Sequence, residues 1–262
     1  MVDALRVDII IVSFNTADML RRCLSAVRQH TRGVQGVRTI VVDNASSDGS
    51  ADLVRQEFPE VKLIALEENV GFGAGNNRGI EAGDAPLLLF LNPDAELTAG
   101  AVDTLRDFLD AHPDCVILGP RLVDANGAFQ ASCRRHPTVL RNFWTYSGLG
   151  GRFPQTLPRL QTWLPEAEHQ EDRIMDMVSG ACFMARRSYL ETVKFFDENL
   201  FLYEEETDIS LPAPRLGYEV RYCPRATVLH HGGMSVDTND LSDFSTRHLF
   251  RSKYYCFRKH YG

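Results

Sequence analysis

The sequence lacks the features that define several large protein classes. Its six cysteines include no C-x-x-C pair, and several of them, such as Cys115 and Cys182, lie inside apolar runs. This pattern is typical of small buried hydrophobic residues in a reducing compartment, and it indicates neither a zinc site nor a disulfide framework. The apolar stretch near the N-terminus is too short for a signal peptide or a membrane span. We therefore expect a cytoplasmic protein.

The chain also has fewer positively charged than negatively charged residues. Lysine and arginine together number 28, against 35 aspartates and glutamates, which gives a formal charge of −7. A general nucleic-acid-binding protein usually carries a basic face, so this balance disfavours a nucleic-acid partner. Hydrophobic residues make up 44% of the 262 positions, which is enough for a sizeable core. The composition predicts an ordinary globular protein, and it leaves room for a locally basic site.

The first half of the chain alternates between apolar runs and helical patterns. The apolar runs predict strands over 7–12, 38–43, 61–66 and 87–92. Periodicity predicts helices over 16–30, with Thr16 as the cap, and over 48–58, 75–83 and 101–112. This alternation predicts right-handed crossovers and a parallel sheet. Residues 1–118 should therefore form a nucleotide-binding α/β half of a single domain, and residues 119–262 a mixed half.

The second half follows a different pattern. A DANG tetrapeptide at 124–127 predicts a hairpin turn. Residues 136–175 show no clear periodicity and are predicted to be irregular. Further elements are predicted as strands over 178–185, 218–223 and 226–231 and a helix over 187–193.

Four polar loops follow the predicted strands of the first half. They are SFNTAD (13–18), DNASSDGS (43–50), ENVGFGAGNN (68–77) and NPDAE (92–96). The carboxyl ends of parallel strands share one edge of a sheet, so these loops should meet at one crevice that suits an anionic ligand. The glycine-rich stretch follows the third strand, whereas a dinucleotide fingerprint belongs after the first, which disfavours a Rossmann dehydrogenase.

Three polar segments each allow two interpretations. Asn92-Pro93-Asp94 is either a simple turn or the delivery of a cation ligand to the sheet edge. The adjacent pair His230-His231 is either structural or a source of one ligand, because neighbouring residues of a strand point to opposite faces. Four carboxylates within 204–208 are either an acidic helix start or a general base whose neighbours raise its pKa. Composition leaves all three open.

Taken together and in order, six segments resemble glycosyltransferase family 2. They are VSFN, VVDNASSDGS, ENVGFGAGNN, LNPD, YEEETD and LHHGG. The resemblance implies an inverting enzyme with the GT-A fold, which has a Rossmann-like, mostly parallel central sheet and a smaller mixed half on the acceptor side. It implies a nucleotide-diphosphate sugar donor and a divalent metal, Mn²⁺ or Mg²⁺. The segments look most like the rhamnosyltransferase branch of bacterial cell-surface polysaccharide synthesis, with a dTDP- or UDP-linked donor and a glycan or lipid-linked acceptor.

The resemblance also assigns roles to residues. It implies a catalytic base at Glu206, with Glu205 as the alternative, and a direct metal ligand at Asp94. The later metal contact is expected from His231 or, failing that, His230. The residues expected to bind the nucleotide sugar are Ser13, Asn15, Asp43, Asn69, Gly71, Asn76, Asn92 and Asp94.

One departure from the family pattern follows the acidic segment. Pro212 and Pro214 stand where arginines of a helix are expected. Proline in a helix interior costs about 3 kcal/mol or more, so the helix should be interrupted there or follow a different path. This departure keeps a non-catalytic binding homologue open as an alternative. A sugar-nucleotide pyrophosphorylase is the other alternative, although the first loop lacks the arginine-containing glycine-rich sequence that it would need.

The last predicted feature is a basic, aromatic stretch over 247–262. Its basic residues are Arg247, Arg251, Lys253, Arg258 and Lys259. Such a stretch suits peripheral contact with the inner face of a membrane, and it equally suits a packed terminal helix with a solvated face. Related proteins often continue beyond a stretch of this kind, so we expect the native chain to extend past Gly262.

Overall fold

The computed structural model describes residues 5–147, 152, 158–232 and 243–262. Its strands are β1 (Val7–Ser13), β2 (Val37–Asp43), β3 (Lys62–Ala65), β4 (Leu87–Leu91), β5 (Ala95–Leu97), β6 (Cys115–Val123), β7 (Phe129–Gln130), β8 (Cys133–Arg134), β9 (Arg173–Met175), β10 (Met177–Val178), β11 (Cys182–Arg186) and β12 (Glu219–His230). Its helices are α1 (Ala17–Thr31), α2 (Ser50–Glu57), α3 (Phe72–Glu81), α4 (Ala101–Ala111), α5 (Val139–Tyr146), α6 (Arg187–Thr192), α7 (Glu205–Ser210) and α8 (Asp243–Tyr261). We call α7 the acidic helix and α8 the C-terminal helix.

Ten strands form one mixed sheet. Its order is β3-β2-β1-β4-β11-β6-β12-β5, with β7 paired to β6 and β9 to β12. The first four strands in the chain are parallel, as predicted. Strand β11 runs antiparallel between β4 and β6 and joins the two halves. The division predicted at residue 118 falls inside β6, so the sheet is continuous across it.

The predicted apolar patterns account for the core of the first half. Every residue of β1 is buried, as expected for a strand covered on both faces. The stripe that predicts α1 is buried along its length at Leu20, Cys23, Leu24 and Val27. Thr16 is the N-cap residue of α1, as predicted, but its side chain makes no capping hydrogen bond and its hydroxyl bonds the Ser13 hydroxyl at 2.8 Å instead. The first turn of α1 is held instead by Asp48, whose carboxylate accepts from the Ala17 N–H at 2.8 Å.

Helix α3 begins earlier than predicted. It starts at Phe72, so most of the glycine-rich stretch forms its first turns and only the residues before it form the loop. The glycines allow the helix to lie directly on β1, since a Cβ at Gly79 would stand 2.5 Å from the Ile10 Cγ2. Gly71, just before the helix, has a φ of +88° and faces the Phe201 carbonyl, which accepts from the Phe72 N–H at 2.8 Å.

The second half is more regular than predicted. Segment 136–175 contains α5, β9 and short 3₁₀ turns at Pro158–Leu160 and Glu166–His169. The two strands predicted over 218–231 are one strand, β12, with an irregularity between Cys223 and Thr227. The single strand predicted over 178–185 is divided into β10 and β11. The predicted DANG hairpin is confirmed, because β6 and β7 pair antiparallel across it.

The two prolines end the acidic helix. It stops at Ser210, and a 3₁₀ turn follows at Pro214–Leu216, which confirms the predicted interruption. The basic stretch at the end of the chain forms the C-terminal helix. One side of it packs on the protein, whereas Phe250 and Tyr254 are more than half exposed. Membrane contact through this helix stays a prediction, and among the described residues no helix has the length and apolarity to cross a bilayer.

Candidate active site

The predicted convergence of the strand ends is confirmed at the carboxyl edge of β1, β2 and β4. Ser13 and Asp43, the last residues of β1 and β2, are aligned in register. Their loops are joined by hydrogen bonds, since the Asn44 N–H donates to the Ser13 carbonyl at 2.8 Å and the Asn15 N–H to the Ser46 hydroxyl at 2.9 Å. The Asn15 side chain accepts from the Ser47 N–H at 2.8 Å. Ser13 and Asn15 thus shape the floor of one crevice.

Asp43 has one carboxylate oxygen available for a ligand. Its Oδ2 accepts from the Ser46 N–H at 3.1 Å. Its Oδ1 is buried and has no hydrogen-bond partner among the described residues. A buried acceptor without a donor is costly, and an N–H donor on a bound ligand would remove that cost. This arrangement fits the contact to a nucleobase that the sequence predicts.

Asn44, which the sequence reasoning missed, holds the loop before α3. Its amide donates to the Asn69 Oδ1 at 2.8 Å and to the Gly71 carbonyl at 3.1 Å. Its Oδ1 accepts from the Val70 N–H at 3.0 Å. Asn69 and Gly71 therefore lie beside the Asp43 loop, as predicted. Asn76 lies inside α3, where its amide donates to the Phe72 carbonyl at 3.0 Å. The only sequence signal for Asn44 is its place directly after the strand end.

The Asn92-Pro93-Asp94 segment is a turn, and it also delivers a buried carboxylate to the sheet edge. The Ala95 N–H closes the turn on the Asn92 carbonyl at 3.1 Å. Asp94 is 1% exposed. The Oδ1 of Asn92 is buried and finds no hydrogen-bond partner in the described part of the chain. Both interpretations of the sequence are therefore compatible with this geometry.

Of the two adjacent histidines, His230 is the one whose side chain lies beside the Asp94 carboxylate, whereas the His231 backbone N–H donates to the Asp94 carbonyl at 3.0 Å. Its Nε2 lies 3.6 Å from the Asp94 Oδ1, and its Nδ1 lies 2.9 Å from the Gln130 Oε1. Burial lowers the pKa of His230 against the opposing effect of Asp94, which favours the neutral imidazole that can bind a metal. The His231 Nε2 lies 2.7 Å from the Glu96 Oε1 instead. The rest of the LHHGG motif, from Gly233, lies outside the described residues.

A divalent cation fits this corner by the chemistry of its donors. The Asp94 carboxylate and the His230 imidazole lie together, and the unpartnered Asn92 oxygen belongs to the same turn. Carboxylate, imidazole and amide oxygen are ligand types that Mn²⁺ and Mg²⁺ accept, in different proportions. The residues present are therefore suited to the metal that the sequence predicts.

The acidic helix places Glu205 and Glu206 in different surroundings. Glu205 is 3% exposed, and burial raises its pKa well above the ordinary value, with Glu206 adding to the shift. Glu206 is more open, and its carboxylate accepts from the Arg134 guanidinium. Burial raises the pKa of Glu206, while Arg134 opposes that shift. Glu206 is therefore the better candidate for a base, because Arg134 favours its deprotonated form.

A short segment between β10 and β11 connects Glu206 with the Asn92 turn. A Cβ at Gly180 would lie 3.7 Å from the Glu206 Oε2. The next residue, Ala181, accepts from the Asn92 N–H at 2.9 Å. The candidate base therefore lies beside Gly180, and the turn that carries Asp94 is bonded to the next residue, Ala181. We interpret the base and the metal corner as parts of one site.

A known protein family matches most of this chain. The family model described as "Glycosyl transferase family 2" matches residues 8–194, which is well over half of the chain. The chain belongs to glycosyltransferase family 2. Among similar sequences, the N-acetylglucosaminyl-diphospho-decaprenol L-rhamnosyltransferase of Mycobacterium tuberculosis is 30% identical over 251 residues, covering 92% of this chain and 80% of the relative. A low-salt glycan biosynthesis hexosyltransferase of Haloferax volcanii is 26% identical over 85% of this chain and 66% of its own length.

Solved structures show the fold of this family 2 glycosyltransferase. GalNAc-T7 with UDP, GalNAc and Mn²⁺ superposes with a TM-score of 0.65 at 15% identity over 88% of this chain. The mannosyltransferase PcManGT of Pyrobaculum calidifontis, with GDP-Man and Mn²⁺, gives 0.62 at 17% identity over 88%. The chain spans 44% and 58% of the length of these two proteins. The predicted GT-A fold is confirmed.

The glycosyltransferase has a further group of potential metal ligands, and the ammonium of Lys259 is bonded to it. Ligand atoms of Asp208, Cys256 and His260 lie within 4.8 Å of one another. The second oxygen of Asp208 already accepts from the Lys259 ammonium at 2.8 Å. That ammonium supplies the positive charge that a metal would bring, so we interpret the group as an ion-pair cluster.

Proposed function

We propose that this glycosyltransferase moves a sugar from a nucleotide-diphosphate sugar to an acceptor hydroxyl with inversion at the anomeric carbon. The observation that carries the proposal is the connection of Asp94 and His230, through the Asn92–Ala181 hydrogen bond, to Glu206 beside Gly180. A donor diphosphate at the first corner would present its sugar toward the base at the second. The same arrangement is expected from an inverting single displacement, in which base and leaving group lie on opposite sides of the sugar.

The protein residues have distinct tasks in this mechanism. Asp43 accepts from an N–H of the nucleobase, and the loops of Ser13, Asn15 and Asn69 line the nucleoside site. Glu206 takes the proton of the acceptor hydroxyl as its oxygen attacks the anomeric carbon. Asp94 and His230 would hold a divalent cation, and the bound cation would supply positive charge for the leaving diphosphate. Among the two histidines, the geometry favours His230 for this role.

The relatives suggest the chemical class of donor and acceptor. The mycobacterial relative is named for transfer of L-rhamnose to N-acetylglucosaminyl-diphospho-decaprenol. The Haloferax relative is named for hexosyl transfer in glycan biosynthesis. These names support rhamnose as the first sugar to test and a lipid-linked glycan acceptor. The dTDP- or UDP-linked donor and the place in cell-surface polysaccharide synthesis follow from the resemblance of the sequence motifs.

Calorimetric titration tests the donor half of the proposal. UDP and dTDP are each titrated into the wild type and Asp94→Ala, with and without Mn²⁺. The proposal predicts tight binding of one diphosphate that requires Mn²⁺ and is lost in Asp94→Ala. Asp52→Ala is the matched control, because Asp52 is an exposed carboxylate that pairs only with Arg55 among the described residues. Binding that ignores both the metal and Asp94 would overturn the metal role.

Turnover separates the transferase from the non-catalytic alternative. Release of the nucleoside diphosphate is followed with dTDP-rhamnose and UDP-sugars, first with water and then with a lipid-linked N-acetylglucosamine acceptor. An enzyme releases the diphosphate faster when the acceptor is present. A binding homologue would retain the metal-dependent affinity and release none.

A further inference from the structure

The C-terminal helix reaches the acidic helix through a cluster of ion pairs. We propose that this helix is a positioning element of the active site, in which Lys253 and Lys259 fix the segment that carries the catalytic base. The proposal rests on the proposed role of Glu206. It assigns a task in the reaction to a part of the chain beyond the matched family region, which ends at residue 194.

The first anchor is at Asp208, two residues after the candidate base in the chain. The Lys259 ammonium donates to the Asp208 Oδ2 at 2.8 Å and to the Asp197 Oδ2 at 2.7 Å. The His260 Nε2 lies 2.7 Å from the Asp208 Oδ1. Asp208 is 5% exposed, so a carboxylate of the acidic helix is buried against two residues of the C-terminal helix. Asp197 is also bonded to the Tyr255 hydroxyl at 2.9 Å.

The second anchor lies just before the base. The Ser252 hydroxyl donates to the Leu202 carbonyl at 2.8 Å. The Lys253 ammonium lies 3.7 Å from the Glu204 carboxylate. Between these contacts, Tyr203 and Glu204 have φ values of 72° and 70°. Two consecutive non-glycine residues in the left-handed region persist only where surrounding contacts hold them, and they set the direction in which the acidic helix starts. The helix contacts are therefore placed where they determine the orientation of Glu206.

Electrostatics adds a second reason for cations at this place. Glu204, Glu205, Glu206 and Asp208 bring four carboxylates into five positions, all buried or partly buried. The cations that face Glu206 are Arg134 from β8 and Lys253 from the C-terminal helix. Burial raises the pKa of Glu206, Arg134 lowers it, Glu204 raises it and Lys253 lowers it. Lys253 thus favours the charged form of the base.

The test compares Lys259→Met and Lys253→Met with Arg258→Met. Arg258 is an exposed cation on the same helix, and it has no ion pair with any residue that the structure describes. For each variant, the rate of diphosphate release is measured against donor concentration and pH, together with nucleotide affinity and the thermal midpoint. Lys259→Arg is the conservative variant, since it keeps the charge.

Positioning predicts a selective loss of turnover. We expect kcat of Lys259→Met to fall about tenfold or more, because small displacements of a catalytic group are costly, with donor KM and nucleotide affinity within about twofold. We expect Lys259→Arg to recover most of kcat and Arg258→Met to match the wild type. The pH–rate limb of Lys253→Met should move to higher pH, since a cation that lowers the pKa of Glu206 is lost.

Three outcomes would overturn the proposal. They are an unchanged kcat with a lower thermal midpoint, an equal loss in Arg258→Met, and a loss that appears in donor KM alone. Glu206→Gln distinguishes this proposal from the underlying function. If Glu206→Gln is inactive and Lys259→Met is normal, only the positioning role fails. If Glu206→Gln is active, the assignment of the base is wrong.

Discussion

Arg134 and Glu206 form an ion pair in which both side chains are largely buried, at 15% and 17% exposure. The guanidinium of Arg134 also lies 4.9 Å from the centre of the Trp163 ring, which fixes it from the other side. A base needs its proton removed before it can act, and a neighbouring cation favours that state. With Glu206 as the proposed base, we expect the pair to influence the pH at which this transferase works.

We expect the pH dependence of turnover to report Glu206. Burial holds its pKa above the ordinary value, so the rate should rise with pH through a limb above the range of an exposed glutamate. Arg134→Gln removes the opposing cation and should move the limb to still higher pH. Arg135→Gln is the control, because Arg135 bonds Glu168. A limb that stays in place or moves down in Arg134→Gln would contradict the assignment.

Replacing each glutamate of the pair by glutamine should give opposite results. Glu206→Gln keeps the shape of the side chain but removes the base, so turnover should fall by about 10²–10⁴ while nucleotide affinity is retained. Glu205→Gln should keep most activity, since burial raises the pKa of Glu205 and so favours an uncharged side chain at that position. Both are measured by diphosphate release and calorimetry. A larger loss in Glu205→Gln would exchange the two roles.

The two histidines can be separated in the same way. Because His230 lies beside Asp94 and His231 beside Glu96, His230→Ala should weaken Mn²⁺-dependent diphosphate binding at least about tenfold. His231→Ala serves as the matched variant and should bind nearly as the wild type does. Calorimetry with and without Mn²⁺ gives both values. The assignment fails if His231→Ala loses the metal dependence and His230→Ala retains it.

Stability should depend on a buried carboxylate far from the chemistry. Asp8 is 1% exposed, accepts from Arg38 at 2.8 Å and from the Ala85 N–H at 2.9 Å. Asp8→Ala should lower the free energy of unfolding by about 1–3 kcal/mol, because it leaves the buried Ala85 N–H without its acceptor and removes a partner of the partly exposed Arg38 guanidinium. Asp84→Ala removes an exposed partner of the same Arg38 and should cost much less, because solvent screens that pair. Urea unfolding measures both, and equal losses would disprove the argument.

The order of elements in the first half could be predicted because burial leaves a simple pattern. Strand β1 is covered on both faces and appears as a continuous apolar run, and α1 shows one stripe. The start of α3 could not be predicted, because glycine in a helix costs about 1 kcal/mol and normally marks a turn. In the structure, a Cβ at Gly75 would stand 2.9 Å from Val12, so close packing outweighs that preference.

Only those features of the candidate site that depend on strand direction could be predicted from the sequence. Parallel strands had to bring Asp43 and Asp94 to one edge, and alternation had to separate the two histidines. Which histidine faces inward depends on the register of β12 with β5, which the sequence does not reveal. The partners of the acidic helix come from distant parts of the chain, since Glu206 accepts from Arg134, which lies 72 positions earlier. Such pairs follow from the path of the second half, where no periodicity guides prediction.

The amide of Asn44 has a consequence for the thermodynamics of donor binding. Its three hydrogen bonds join the loop after β2 to the loop before α3, so the two loops form one preorganised surface in the free protein. A ligand that settles there has little loop entropy to remove, and the contacts it makes appear almost fully as affinity. Under the proposed function, we therefore expect Asn44 to strengthen nucleotide binding by restricting the conformations open to the protein before the ligand arrives.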